Sequence, residues 1–268
     1  MSTKGIYTAL SGAMAQANRL DTIANNLANV NTAGFKKDNQ TFYEYLTARE
    51  KTPDVIQVPR IPASIESFYD VQGGDRGYVD ASGTYTDFSQ GTLKATGNPL
   101  DLALEGEGFF EVLTPQGVRF TRDGSFKIDP QGRLVTKHGF PVLSQGANQP
   151  PEQRLIQVGN GNVTVAYNGD FYVSGEQAAK LSVVQPDNLD ALAKAGAGLY
   201  SLKDNFETTL VDQQARVHQG QLEASNINVV QEMTDMISAN RVFESTQKAI
   251  KAFDEMNRKL INEVPKTS

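Results

Sequence analysis

Four carboxylates, Asp101, Glu105, Glu107 and Asp123, fall in one glycine-rich stretch, and two of them held face to face would suffice for general acid–base work. Nothing around them completes a catalytic set. They lie among turns with no partnered histidine nearby, and the chain has only His138 and His218 and no cysteine. Thiol catalysis and disulfides are thereby excluded, and a transition-metal site has little to be built from. Gly159-Asn160-Gly161-Asn162 is not a dinucleotide loop, because no helix follows it to face a pyrophosphate. His138 and His218 read as ordinary surface or strand residues. The sequons Asn39-Gln40-Thr41 and Asn162-Val163-Thr164 read as accidental. No catalytic residue, cofactor or metal is expected.

The polar chemistry that does recur is amide. Asn25, Asn26, Asn29 and Asn31 cluster near the start of the chain, and Asn226 and Asn228 near its end. The first cluster is either plain helix surface or a set of hydrogen-bonding groups used between subunits, where an unpaired buried amide is costly.

Two helices would position these groups. Ile6, Leu10, Ala13, Ala17, Leu20, Ala24 and Leu27 recur at alternating spacings of four and three. Met236, Ala239, Phe243, Thr246, Ile250, Phe253, Asn257, Leu260 and Val264 repeat the pattern near the other end. Such stripes are those of a coiled-coil seam. The first helix is expected from about Thr3 to Gly34, roughly 45 Å at 1.5 Å per residue. Gly34 then sits where a left-handed residue stops a helix, with Phe35 as anchor, or alternatively forms a hinge to an outer domain. Asn228 with Gln231 reads as a capping box at the start of the last helix. The large side chains of either seam contribute about 1.5–3 kcal/mol each when buried, too little to order a terminus alone. The ends are therefore expected to order on assembly.

The expected fold class is α+β: long terminal helices forming a coiled-coil-like core domain, and a β-rich, antiparallel, hairpin-based middle. Residues 1–36 form the first core helix, 37–90 an irregular connector, 91–207 the β-rich domain and 208–268 the C-terminal helical part. Within the connector, Phe42 to Leu46 suggests a short helical continuation, Pro53, Pro59 and Pro62 break it, and Asp70 to Ser89 reads as loop with weak strands. Hairpin turns are expected at Pro115-Gln116-Gly117, after Asp123-Gly124, at Asp129 to Gly132 and at Asn168-Gly169.

At 268 residues and a net charge of −6, with both signs interleaved, the chain offers no electrostatic footprint for nucleic acid. No run approaches the roughly 18 apolar residues of a membrane span. Ala13-Met14-Ala15 imitates a signal-peptidase site, but Thr8, Ser11 and Gly12 interrupt the apolar run before it and the seam continues through it. No cleaved signal is expected.

Ile23-Ala24-Asn25-Asn26-Leu27-Ala28-Asn29-Val30-Asn31-Thr32-Ala33-Gly34-Phe35-Lys36 resembles the N-terminal motif of bacterial flagellar axial proteins of the rod and hook. Gly97 to Leu104, Gly108-Phe109-Phe110 and Phe120 to Phe126 are similar to that family's central motif, and Gly220 to Met233 to its C-terminal motif. The resemblance implies a structural subunit, not an enzyme, of a tubular assembly around a central channel. It also implies a place in the basal body, spanning the periplasm, and delivery by the flagellar type III export apparatus. Partners are then copies of the chain and other axial proteins. The implied assembly residues are Ile6, Leu10, Leu20, Asn25, Asn26, Leu27, Asn29, Phe35, Asn226, Asn228, Met236, Phe243, Ile250, Phe253 and Leu260, with turns or hinges at Gly34, Gly124 and Gly132.

Hook subunits carry a further outer domain, and the stretch after Leu143 is too short for one, which favours a rod subunit. Gly5 to Ala9 and Ala252 to Val264 look like the proximal-rod type, with the distal-rod type as runner-up. Gln221 departs from the aromatic or aliphatic residue common there, and residues 48–90 match nothing. From a different class, an oligomeric surface adhesin with a helical stalk would also use both stripes.

Overall fold

The structure is a computed structural model that describes residues 4–46, 77–146, 149–159, 161–203, 210–212 and 215–263. The chain divides into two compact units, one of Met1–Asn25, Asn39–Tyr85 and Val230–Ser268, the other of Asn26–Asp38 and Thr86–Val229.

The first unit holds most of the two α-helices found among the described residues, α1 (Lys4–Ala28) and α2 (Val229–Glu263). It also holds most of a two-stranded ribbon of Asp38–Leu46 and Gly77–Thr86. The chain is α+β, but the expected coiled-coil core of long helices is overturned: there are these two helices and a β-rich middle of several sheets. The hydrophobic core lies in the β-rich unit. Burial on the helices is shallow. On α2 it follows the seam, where Phe243, Thr246, Ile250, Phe253 and Asn257 are half-buried between exposed residues, and on α1 it falls both on the stripe and beside it. Among the described side chains, the buried apolar residues of α1 are Ala13, Ala15 and Ile23, while Leu10 is exposed, and that of α2 is Ala239. Alanines and the polar Thr246 and Asn257 leave these stripes little apolar area to bury.

Local structure differs from expectation in three further places. The first helix stops at Ala28, not Gly34. Turns follow, with the Asn29 N–H on the Asn26 carbonyl at 3.0 Å and the Thr32 N–H on the Asn29 carbonyl at 3.1 Å. Phe42 to Leu46 is strand, as its aromatic content favours. The helical pattern expected from Thr208 is instead three strands, Leu210–Asp212, Arg216–Gln219 and Gln221–Glu223. Pro53, Pro59, Pro62, the start of the Asp70 to Ser89 stretch and Val264 lie outside the described residues.

The β-rich unit is antiparallel throughout. Its main sheet orders Leu192–Gly196, Leu199–Leu202, Gly117–Thr121, Phe109–Thr114, Val183–Pro186 and Leu210–Asp212. Three of the four expected hairpins are present: Thr114 pairs with Gly117, Ile128 with Leu134 across the Asp129–Gly132 turn, and Phe171 with Val165 across Asn168-Gly169. The strands on either side of Asp123-Gly124, Gly117–Thr121 and Phe126–Ile128, lie in different sheets instead. Period-two alternation splits the central strand between two cores. Phe110 and Val112 join Leu102, Phe126, Leu134, Phe171 and Val217, whereas Phe109 joins Phe120, Val184, Leu192 and Tyr200. Two short pairs close the unit: Leu102–Glu105 with Arg216–Gln219, and Leu93–Ala95 with Gln221–Glu223.

Candidate functional site: a buried junction of three chain segments

The pairing of Gln221–Glu223 with Leu93–Ala95 carries Glu223 into the interior of the β-rich unit. Its carboxylate accepts from the Lys36 ammonium at 2.6 Å, the Gly91 N–H at 2.8 Å and the Arg122 guanidinium at 3.3 Å. Lys36 also donates to the Ser89 carbonyl at 2.7 Å, and Arg122 to the Gly106 carbonyl at 2.7 Å. Arg122 lies over the Phe109 ring, 5.3 Å from its centroid. The three charged side chains are 1%, 0% and 4% exposed for Lys36, Glu223 and Arg122. Burial lowers the proton affinity of Lys36 and of Arg122 below the ordinary range, while Glu223 pulls both back up.

The backbone around this cluster is closely fitted. The Gly34 N–H donates to the Glu223 carbonyl at 2.8 Å. Gly34 has φ +65°, and a Cβ there would stand 2.4 Å from the Arg122 carbonyl carbon. The Lys37 N–H donates to the Asn226 side-chain oxygen at 2.8 Å, and the Asn226 amide donates to the Asp87 carbonyl at 2.9 Å and the Ser89 hydroxyl at 3.0 Å. Asn26, 1% exposed, donates to the Asp38 carbonyl at 2.8 Å and accepts from the Asp38 N–H at 3.0 Å. Lys194 donates to the Lys36 carbonyl at 2.6 Å and the Asp38 carboxylate at 2.7 Å, with its ammonium 4.0 Å from the Phe35 ring centroid. Burial lowers the Lys194 ammonium too, and it raises the Tyr200 phenol well above its usual range. Asn26→Ala would leave both Asp38 backbone groups without this partner. It should cost about 1–3 kcal/mol, read as a shift of the urea midpoint.

Of the residues singled out in the sequence, Asn26, Gly34, Phe35 and Asn226 meet in this junction. The others fall elsewhere. Asn25 is exposed on α1, Asn29 accepts from the Thr32 hydroxyl at 3.2 Å, and Asn228 is exposed immediately before α2. Ile6, Leu20, Leu27, Met236, Phe243, Ile250 and Phe253 are half-buried, and the Leu260 side chain lies outside the described residues. Gly124 passes against the Leu102 backbone, and Gly132, φ +78°, makes the turn after Asp129.

The carboxylates are not a facing pair. Asp101 accepts from Thr96 at 2.6 Å and Asn98 at 3.0 Å, Asp123 pairs with Lys137 at 2.6 Å, and Glu107 accepts from Gln185 at 3.0 Å. Glu105 does have a histidine partner, His218 at 2.8 Å, which sequence distance concealed. That bond holds the Glu105 carboxyl below its usual range. Among the described residues no group of acids and histidines could hold a metal ion.

The buried charges Lys36, Arg122 and Glu223 were not singled out, although each interrupts an apolar or glycine-rich motif: Phe35-Lys36, Phe120-Thr121-Arg122 and Leu222-Glu223-Ala224. A lone charge in such a setting was the available signal.

Each of the three comes from a segment with known relatives. Residues 6–36 match the family described as flagella basal body rod protein, 103–173 the flagellar hook protein FlgE/F/G D1 domain, and 218–263 the flagellar basal body rod FlgEFG protein C-terminal. Over 262 residues the chain is 34% identical to the flagellar basal-body rod protein FlgF of Caulobacter vibrioides, covering 97% of this chain and 98% of that one. The chain belongs to the flagellar basal-body rod protein family. It is also 31% identical over 270 residues to the rod protein FlgG of Bacillus subtilis, covering 97% and 98% of the two chains. With the FlgG of Borreliella burgdorferi it shares 32% identity over 266 residues, 94% and 96% of the two. In this rod-family chain the junction therefore ties together one charge from each of the three matched segments.

Proposed function

We propose that this chain is a structural, non-enzymatic subunit of the bacterial flagellar rod, joining copies of itself and other axial proteins through apolar faces of its two helices. The observation that carries the assembly reading is a pair of exposed stripes. On α1, Tyr7, Leu10 and Met14 are 57%, 45% and 62% exposed; on α2, Val230, Met233 and Ile237 are 74%, 52% and 55% exposed. Both sets are spaced three and four apart, so each lies along one helix face. Contiguous exposed apolar surface of this kind marks an association site. The half-buried Ile6, Leu20, Leu27, Phe243, Ile250 and Phe253 would then complete the contact at its margins.

Family membership supports a place in the basal body, a tubular assembly and delivery by the type III apparatus without a cleaved signal. No helix among the described residues is long and apolar enough to cross a membrane. The strands that follow Leu143 pair within the β-rich unit, which supports a rod rather than a hook subunit. The proximal-rod type is favoured by the two chain ends, and the distal type is the runner-up.

Met14→Asp and Ile237→Asp test the proposal. Both residues are exposed, so folding, followed by circular dichroism, should be unchanged within about 0.5 kcal/mol. Swimming should be lost, and the chain should be missing from detergent-extracted basal bodies. Normal swimming with both variants present in basal bodies would overturn the assembly reading.

A further inference from the structure

The junction buries two cations against one carboxylate, and the three come from distant parts of the chain. Asp87 and Glu107 act on Lys36 and Arg122 only as more distant negative charges. Taking a charge out of water without a partner is costly, and two uncompensated like charges side by side cost more than the sum of either alone. Glu223 contacts both cations, and the same side chain receives the Gly91 N–H. The backbone of its segment is built into the same seat: Gly34 donates to the Glu223 carbonyl, and the Ala224 N–H donates to the Thr92 carbonyl at 2.9 Å. A Cβ at Gly91 would stand 1.9 Å from the Ala224 carbonyl oxygen, so the two segments touch with no side chain between them.

We propose that Glu223 is the closing counter-ion of the β-rich unit. Until Gln221–Glu223 docks beside Leu93–Ala95, Lys36 and Arg122 cannot be buried together, and the segments around Gly34, Gly91 and Asn226 stay open as one group. Lys36 stands early in the chain, Arg122 near its middle and Glu223 late. The junction therefore locks only when the late segment arrives, while the larger core, built around Phe110 and Val142, has no member in the cluster. The device holds whether or not the helices assemble as proposed above.

Its signature is charge balance, which separates it from simple loss of hydrogen bonds. In the full chain, Glu223→Gln leaves two buried cations without an anion, Lys36→Met leaves a balanced Arg122–Glu223 pair, and the double variant leaves one cation. Amide hydrogen exchange should rise about 100-fold or more in Glu223→Gln at Gly34, Lys37, Gly91 and Ala224, with Leu134 and Val142 unchanged. Lys36→Met should raise it about tenfold or less, and the double variant should exchange more slowly than Glu223→Gln alone.

A double variant that opens as fast as Glu223→Gln, or faster, overturns the proposal, as does Glu223→Gln with native protection. Should Glu223→Gln fail to fold, recovery of a folded double variant supports the counter-ion role, and failure of the double variant as well rejects it.

Discussion

Gly124→Ala should leave the β-rich unit unfolded at room temperature, because the added methyl has no place to go. Its Cβ would lie 1.6 Å from the Leu102 carbonyl oxygen and 2.7 Å from the Leu102 carbonyl carbon. Leu102 cannot retreat. Its N–H donates to the Gly124 carbonyl at 3.0 Å, its strand is paired from Leu102 to Glu105 with Gln219 to Arg216, and its side chain is 1% exposed in the larger core. Relieving the overlap means separating backbone from backbone, which places the cost in the tail above about 4–5 kcal/mol. Total domain stability is about 5–15 kcal/mol.

Gly34→Ala should be nearly as severe, since it combines a 2.4 Å approach to the Arg122 backbone with φ +65°. Gly132→Ala should be milder, about 1–3 kcal/mol: the φ of +78° is strained for alanine, but the nearest atom is 3.2 Å away at the rim of a turn. Gly12→Ala is the control. It lies inside α1 with nothing within 4 Å of the added methyl, and should stabilise the helix by about 0.5–1 kcal/mol. Thermal melts followed by circular dichroism rank the four. Gly124→Ala melting within a few degrees of the native chain would show that the Leu102 contact is not closed in solution.

Features set by neighbours in sequence were legible. Asp129 to Gly132, Pro115 to Gly117 and Asn168-Gly169 each encode a turn locally, through proline, glycine or a short side chain that bonds its own backbone, and each is where the hairpins turn. The Asp129 carboxylate shows the mechanism, accepting from the Gln131 N–H at 3.0 Å and the Arg133 N–H at 2.8 Å.

Features set by distant partners were not legible. Asn25 to Gly34 reads as continuous helix, but Asn26 is held by Asp38 and the Gly34 N–H by the Glu223 carbonyl, so the helix yields after Ala28. Arg216 to Glu223 reads as helix in isolation, yet its strands form because Leu102–Glu105 and Leu93–Ala95 offer edges to pair with. The heptad stripes mark an apolar bias that is real: on α2 the stripe positions from Phe243 to Asn257 are less exposed than the residues between them, whereas on α1 the buried Ala15 and Ile23 lie off the stripe. Glu223 was the hardest to see: its importance lies in two cations that no periodicity connects to it.

Arg154→Met should be the most damaging change to a charged residue outside the junction. Glu111 sits on the central strand opposite Phe120, on the face that carries the Phe109 core, where an unpaired carboxylate has no business. Arg154 answers it with a direct ion pair, and Ser182 adds a hydroxyl donor at 2.6 Å. The Arg154 Nε donates in turn to the Ser144 carbonyl at 2.8 Å, which fixes the guanidinium in place. Glu111 and Arg154 are 5% and 7% exposed, so removing the cation strands a buried anion and should cost about 3–5 kcal/mol in urea denaturation.

Replacing both partners, Glu111→Leu with Arg154→Met, should recover most of that loss, because the pair's own attraction is largely offset by the cost of burying it. A cleft of about 620 Å³, lined by both residues with Arg119, Phe120, Ser182 and Leu202, opens beside the pair and supplies the alternative outcome. If Arg154→Met loses less than about 1 kcal/mol, water from the cleft reaches Glu111, and the pair is no more than a surface contact in energetic terms.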